Sequence, residues 1–596
     1  MTTAINTKNY DHGHSLERES PASHWKWEED RKVTDNSITE NFYADGTIAD
    51  EKLSLLPSGL ARWMPTVGLR TADLSNRCTV DALQAAVSQI EGLTVVAAEV
   101  NESGQFSPPQ PHWIPPQVPV PEVIRDLPAF CDIRLHQRTP GGHVAHIRVW
   151  APLAWNNRFL ATGGMGSLTG PLWFEMPTVR SITMPIALRN GFVTGATDGG
   201  NRDTRFFDWP LDRETGVLDW ELLRNWSHRA THDMAVAAKA VTVALYGRDP
   251  NHSYFAGCSG GGRQGLASIQ KYPADFDGVW SSDPAINWPM FWAAAIWPAL
   301  VMKQRENALP EAKLEAFRQV ALDVCDGADG LRDGIIGIAE LRRGFDPHAA
   351  VGRDTPAGTI TRDDAETMRL ILDGPRRASG ERLGFGLPIG TNSWGLVGIW
   401  KSKEVDGELR PIANDASFYF RWITEDPDFD WTTMDFATFE RLTDLGSKKF
   451  AEFAINDANL SRFRAANGRL LISQAVNDQI VMYENTVDYY RRVAESAGGI
   501  EESRTFVRLF STDGDIHGSI AGPGPGLTPA SAMSALMNWV ENGIPPEEII
   551  AERVDPQTGE LVATRPVYPY PDATIYRGTG DPSVAASFMR AKGAAA

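Results

Sequence analysis

Cysteine is scarce in this chain, with Cys78, Cys131, Cys258 and Cys325 the only four in 596 residues, so it is not a disulfide scaffold. Positive charge is also short: 57 Lys and Arg stand against 76 Asp and Glu, a net charge of −19. Nucleic acid and anionic membranes both require a positive field, and neither is expected as a partner. Apolar runs never approach the roughly 20 residues of a membrane span. The first residues, MTTAINTKNYDHGHSLERESPASHWKWEEDRK, are charged where a secretion signal would be apolar. A cytoplasmic protein is the resulting expectation. No G-x-x-x-x-G-K-[ST] phosphate loop occurs.

What is present is a long chain, 42% hydrophobic, large enough for a substantial core with an inserted lobe. Residues 1–50 lack any apolar period and read as an irregular arm. The Pro-rich stretch from Phe106 to Val123 reads as an extended strap. From about Val144 short β-rich runs follow one another: HIRVWA, RFLAT, GFVTGAT, SYFAG and GVWSS. A helical period from His228 to Tyr246 separates the third from the fourth. Strands alternating with helices predict a mostly parallel sheet covered on both faces. The pattern lapses between about Asn287 and Gly468, a stretch rich in Trp, and resumes with RLLISQA, a helix over Met482–Ala497 and TFVRLF. The expected organisation is an α/β core of residues 51–286 and 469–596, interrupted by an inserted lid over 287–468.

Ser259 sits in Gly257-Cys258-Ser259-Gly260-Gly261, a G-x-S-x-G turn between a β run and a segment able to start a helix. A serine on so sharp a strand-to-helix turn needs small neighbours, and the turn aims the Gly260 amide where an oxyanion would develop. The bland reading is a glycine-rich loop that merely turns the chain; the flanking strand and helix favour a nucleophile. For an α/β-hydrolase the acid and base must follow in that order. Asp478 stands just beyond RLLISQA, and His517 follows TFVRLF within STDGDIHGS. Asp513 and Asp515 are rival acids by proximity, although a carboxylate so near in sequence can seldom reach Nδ1 of an imidazole facing the serine.

The segment YFAGCSGGGRQGLASIQKYPADFDGVWSSDPAINW, starting at Tyr254, resembles the nucleophile region of the tannase and feruloyl esterase family, which also contains the hydrolase of the terephthalate monoester of ethylene glycol. Four further blocks agree in order: RFLATGGMGSLTG, CDGADGLRDGI, NDQIVMYENTVDYYRRV and PYPDATIYRGTGD. The resemblance covers roughly residues 75–590. It implies the α/β-hydrolase fold with a large inserted lid domain, and a serine carboxylic-ester hydrolase with Ser259 as nucleophile, Asp478 as acid and His517 as base. It further implies an oxyanion hole made by Gly260 and an amide of the loop after RFLAT, with Gly164 favoured and Met165 next.

Cys325-Asp326-Gly327-Ala328-Asp329-Gly330-Leu331-Arg332-Asp333-Gly334-Ile335 places three carboxylates among glycines. Such hard ligands, with the carbonyls of Leu331 and Ile335, suit calcium, and the resemblance makes this the family's calcium loop. The bland reading is an acidic surface turn. Calcium here would brace the lid and take no part in bond breaking.

The chain departs from the family pattern at its cysteines. The resemblance pairs Cys258 with a cysteine after the catalytic histidine, where this chain has Gly518. Cys325 likewise faces Arg343 and Gly344, and Tyr568 and Met589 stand at another usual pair. Only Cys78 and Cys131 can reproduce a family bridge, and both are expected as thiols in a reducing compartment. The expected partner is a small ester, with aromatic or phenolic acyl groups suggested by the resemblance. An acyltransferase or a lactone-forming or lactone-opening enzyme would use the same triad, and a non-catalytic binding protein would keep the fold without it. The Trp residues of the insertion, with Phe418, Tyr419 and Phe420, read first as its core and second as an aromatic pocket.

Overall fold

The computed structural model describes residues 69–70, 74–108, 122–170, 182–201, 207–391, 402–405, 407–413, 416–518, 522–555, 558 and 560–593. The arm 1–50, the central part of the Pro-rich strap, and Trp394 and Trp400 lie outside them.

A nine-stranded sheet organises the chain. Its strands are β1 (Leu93–Asn101), β2 (Phe130–Arg138), β3 (Val144–Pro152), β4 (Arg158–Thr162), β5 (Val193–Thr197), β6 (His252–Cys258), β7 (Gly278–Ser282), β8 (Arg469–Ala475) and β9 (Val507–Thr512). The spatial order is β9-β8-β7-β6-β4-β5-β3-β2-β1. Strands β4 to β9 run parallel, whereas β3 pairs antiparallel with β5, and β1 and β2 continue as an antiparallel meander. The parallel strands are buried throughout or nearly so, as expected where helices cover both faces.

Helices α1 (Ala230–Tyr246) and α2 (Gly260–Lys271) precede and follow β6. α1 ends on Gly247 at φ 75°, the left-handed cap that glycine adopts without strain. Between β7 and β8 the chain leaves the sheet and adds none of its strands. This insertion contains α3 (Trp288–Gln304), α4 (Glu311–Cys325), α5 (Ser417–Thr424) and α6 (Phe436–Lys449). After it, α7 (Tyr483–Ala497) lies between β8 and β9, and α8 (Pro529–Asn542) follows the latter, capped by Thr528.

The aromatic residues of the insertion are core. Trp288, Trp292, Phe418, Tyr419, Phe420 and Trp422 are all buried, in one cluster with Phe207, Trp209 and Trp226 from before β6. Most of their rings meet edge-on or tilted, as between Trp288 and Tyr419 at 5.5 Å and 86°, while Trp288 stacks on Trp422 and Phe207 on Phe418. The insertion and the preceding loops therefore share one apolar interior.

One sequence expectation is overturned. Cys78 and Cys131 form a disulfide, with Cα atoms 6.1 Å apart, tying the start of the described region to β2. Both side chains are buried side by side, close enough for the bond to close. Cys258 and Cys325 are buried free cysteines.

Candidate active site

All the candidate catalytic residues issue from the carboxyl ends of neighbouring parallel strands, where loops converge in open α/β sheets. Ser259 follows β6 and immediately precedes α2, at φ 61° and ψ −119°. A non-glycine residue at positive φ is strained, and such strain persists only where the surroundings enforce it. Here they do: Ser259 N donates to Ser282 O at 2.9 Å, while Ser259 O accepts from Arg263 N at 2.9 Å and Ala285 N at 3.2 Å. Ser259 remains partly exposed between the buried Cys258 and Gly260. The expected need for small neighbours holds at Gly257, where an added Cβ would sit 2.6 Å from the carbonyl of Gly261.

Asp478 follows β8 and is fully buried. Its Oδ1 accepts from the amides of Ile480 and Val481, both at 2.8 Å, and its Oδ2 accepts from Gln474 Nε2 at 2.9 Å. The same Oδ2 lies 2.8 Å from His517 Nδ1. Burial holds the Asp478 carboxyl above its ordinary range, against the opposing pull of His517. His517 follows β9 and is 4% exposed. The rival acids point elsewhere: Asp513 Oδ1 accepts from Ile338 N at 3.0 Å, and Asp515 accepts from the Thr512 hydroxyl at 3.2 Å and the Ile516 amide at 2.9 Å.

The loop after β4 abuts the start of α2 so closely that a Cβ on Gly260 would fall 2.2 Å from Gly166 O. The favoured second oxyanion donor is corrected here. Gly164 N–H already donates to Gln264 Oε1 at 2.7 Å, so it is committed to holding the loop. The amides of Met165 and Gly260 meet no acceptor among the described residues.

Three buried polar residues near the candidate site went unnoticed in the sequence. Gln264 braces the loop after β4, Gln479 Oε1 accepts from His517 N at 3.0 Å, and Asp283 follows β7. Each lies close to a motif residue, but a glutamine on a helix or an Asp-Pro at a strand end reads from sequence as a solvated group or a cap.

The acidic loop connects α4 to a short helix, Ile338–Arg343. Asp326 Oδ1 is buried with no hydrogen-bond partner, an orphan that a cation would satisfy. Burial raises Asp329, reinforced by the charges of Asp333 and Asp326. Those observations fit a hard cation. Three carboxylate oxygens from Asp326, Asp329 and Asp333 do not, however, lie within 4.8 Å of one another. Arg565 Nη2 draws Asp333 Oδ2 to itself at 2.8 Å, and the amides of Leu331 and Ile335 occupy Asp329 Oδ1 and Asp333 Oδ1 at 2.9 and 3.2 Å. No helix among the described residues is long and apolar enough to cross a membrane.

Residues 133–591 match the family model for tannase and feruloyl esterase. A probable feruloyl esterase of Arthroderma benhamiae is 34% identical over 455 residues, covering 75% of this chain and 82% of its own. The fold is similar to that of feruloyl esterase B from Aspergillus oryzae, with a TM-score of 0.71 at 22% identity, covering 87% of this chain and 100% of that one. It is also similar to tannin acyl hydrolase from Aspergillus niger, with a TM-score of 0.72 at 20% identity, covering 88% and 97%.

Proposed function

Since the chain belongs to the tannase and feruloyl esterase family and is a carboxylic ester hydrolase, we propose that it cleaves small phenolic esters through Ser259, His517 and Asp478. The supporting observation is the buried 2.8 Å contact between His517 Nδ1 and Asp478 Oδ2, on loops that follow β8 and β9, two and three strands away from β6, which leads to Ser259. Asp478 fixes the imidazole tautomer that leaves Nε2 as the base. His517 takes the Ser259 proton as Oγ attacks the ester carbonyl, and returns it to the departing alcohol. The amides of Gly260 and Met165 hold the oxyanion, with α2 adding its positive end. Water, activated by the same histidine, then releases the acid from the acyl-enzyme.

Calcium would be held by Asp326, Asp329 and Asp333 with the carbonyls of Leu331 and Ile335, supplying charge neutralisation to a loop of the insertion that Asp333 ties to Arg565. It has no part in the proton transfers.

A panel of ferulate, gallate and terephthalate monoesters, with products weighed by mass spectrometry in the presence of added alcohols, tests the reading. Free acid from at least one phenolic ester, abolished by Ser259→Ala, is the expected result. Transesterified product without free acid would make the chain an acyltransferase instead.

A further inference from the structure

Asp283 is the first residue after β7, fully buried, and it stands at φ 42°. Asp and Asn tolerate that backbone better than other side-chain-bearing residues. Its two oxygens gather donors from several elements. Oδ1 accepts from Ala475 N at 2.8 Å, at the end of β8. Oδ2 accepts from Gly518 N at 3.1 Å, from Ser282 Oγ at 3.2 Å and from Cys258 Sγ at 3.7 Å. Every one of these partners is a donor, as the acceptor-only oxygens of a carboxylate require. Ala475 precedes Asp478 by three positions, Gly518 follows His517, and Cys258 precedes Ser259. One carboxylate thus touches a residue one to three positions from each member of the proposed triad. Single oxygens or nitrogens of Asp283, Asp478 and His517 lie within 4.8 Å of one another.

We propose that Asp283 is a positioning residue which clamps the histidine loop to the nucleophile turn and to the loop bearing the acid. The Gly518 backbone comes close to the Cys258 side chain, since a Cβ on Gly518 would lie 3.1 Å from Cys258 Sγ, yet Gly518 has no side chain with which to bond it. The carboxylate of Asp283 bridges the two. Its charge has a second effect: beside His517 it favours the imidazolium that forms as Ser259 loses its proton. The titratable groups facing it among the described residues are Asp478 from the loop after β8, His517 from the loop after β9 and Cys258 from β6. The inference rests on the triad reading above.

Asp283→Asn keeps the shape and tolerates the backbone while removing the charge and turning an amino group toward donors. Its kcat is expected to fall at least about tenfold with KM changed far less, because displacement of a reacting group costs turnover. The acid limb of kcat/KM is expected to move to lower pH by about half a unit or more, since loss of a neighbouring negative charge destabilises the imidazolium. A purely structural residue would not move that limb. Either the parent kcat or an unmoved limb overturns the inference, whereas activity surviving in Ser259→Ala overturns the triad reading instead. If Asp283→Asn does not fold, amide exchange in the unmodified protein decides: protection of Gly518 N–H is expected, and exchange at the rate of an unstructured peptide overturns the clamp.

Discussion

Gln264, one turn beyond Ser259 on α2, accepts from Gly164 N at 2.7 Å through Oε1 and donates through Nε2 to Thr169 O at 3.0 Å and Thr231 Oγ1 at 3.3 Å. A single buried amide thus staples both ends of the loop after β4 to the helix that follows Ser259. Gln264→Leu leaves those groups without partners and releases the loop. Since deletion of an oxyanion donor itself costs about 100- to 1000-fold, an indirect loss of about tenfold or more in kcat is expected. Steady-state kinetics on a phenolic ester measures it, and an unchanged kcat would show that the loop holds itself.

The acid assignment separates by substitution. Asp478→Asn removes the partner of His517 Nδ1 and is expected to lower kcat by about 10,000-fold, as loss of the correct tautomer does in triad hydrolases. Asp513→Asn and Asp515→Asn, whose carboxylates serve Ile338 N, Thr512 Oγ1 and Ile516 N, are expected to act mainly on stability. Parallel kinetics and melting curves for the three variants check this. If Asp515→Asn proves the most damaging to kcat, the acid lies there.

The runs RFLAT, GVWSS and RLLISQA coincide with β4, β7 and β8 because buried parallel strands are written as short, nearly continuous apolar segments. The antiparallel strands β1 and β2 escaped notice, although Ile133 and Leu135 alternate with exposed or half-buried residues as a one-sided strand should. They stand on either side of the Pro-rich strap, which masked the local period. The proposed triad could be picked out because chain order and strand ends point to it. Gln264 and Asp283 could not, because their roles arise from contacts across the sheet's carboxyl edge between residues such as Asp283 and Gly518, 235 positions apart.

Calcium should act on stability. A ligand that binds only the folded state raises the melting temperature with its concentration. Asp326 Oδ1 is orphaned and Asp329 is raised partly by its acidic neighbours, so the metal-free loop is strained by its own charge. The melting temperature is expected to rise in millimolar calcium and fall in chelator, and Asp326→Asn should blunt the response. Identical melting in both conditions, with no calcium in the purified protein by elemental analysis, counts against the site.

The buried acids behind that loop give a pH signature in chelator. Burial pushes Asp513 up to about 6 and Glu340 up to about 7. Both folded-state values exceed the ordinary range near 4. A group raised by folding binds its proton more tightly in the native state, so its contribution is complete below about pH 4 and is lost as pH rises through the folded value. The urea midpoint is therefore expected to decline between about pH 5 and pH 7.5, and Asp513→Asn to flatten the lower part of that decline. A parallel decline in parent and variant would assign it elsewhere.

The cysteines make the last test, because the fold divides them into one bridge and two thiols. Cys78 and Cys131 are bonded, closing a loop with a sequence separation of 53, and a bridge of that span stabilises chiefly by restricting the unfolded chain, by about 4 kcal/mol in the loop-entropy account. Cys258 and Cys325 are buried thiols, the first facing Asp283 at 3.7 Å and the second the Gly344 carbonyl at 3.4 Å. Burial pushes the Cys325 thiol up, away from the reactive thiolate, and burial shields both sulfurs from reagents. The native protein is expected to resist alkylating reagents and, after denaturation without reductant, to expose two thiols. Strong reductant should lower the melting temperature through Cys78 and Cys131 yet leave activity intact below that temperature, since no disulfide supports His517. Four thiols on denaturation would mean the bridge does not form in the purified protein. Inactivation by reductant at a temperature where the fold persists would mean that the histidine loop depends on a disulfide, which the carboxylate of Asp283 and the glycine at position 518 argue against.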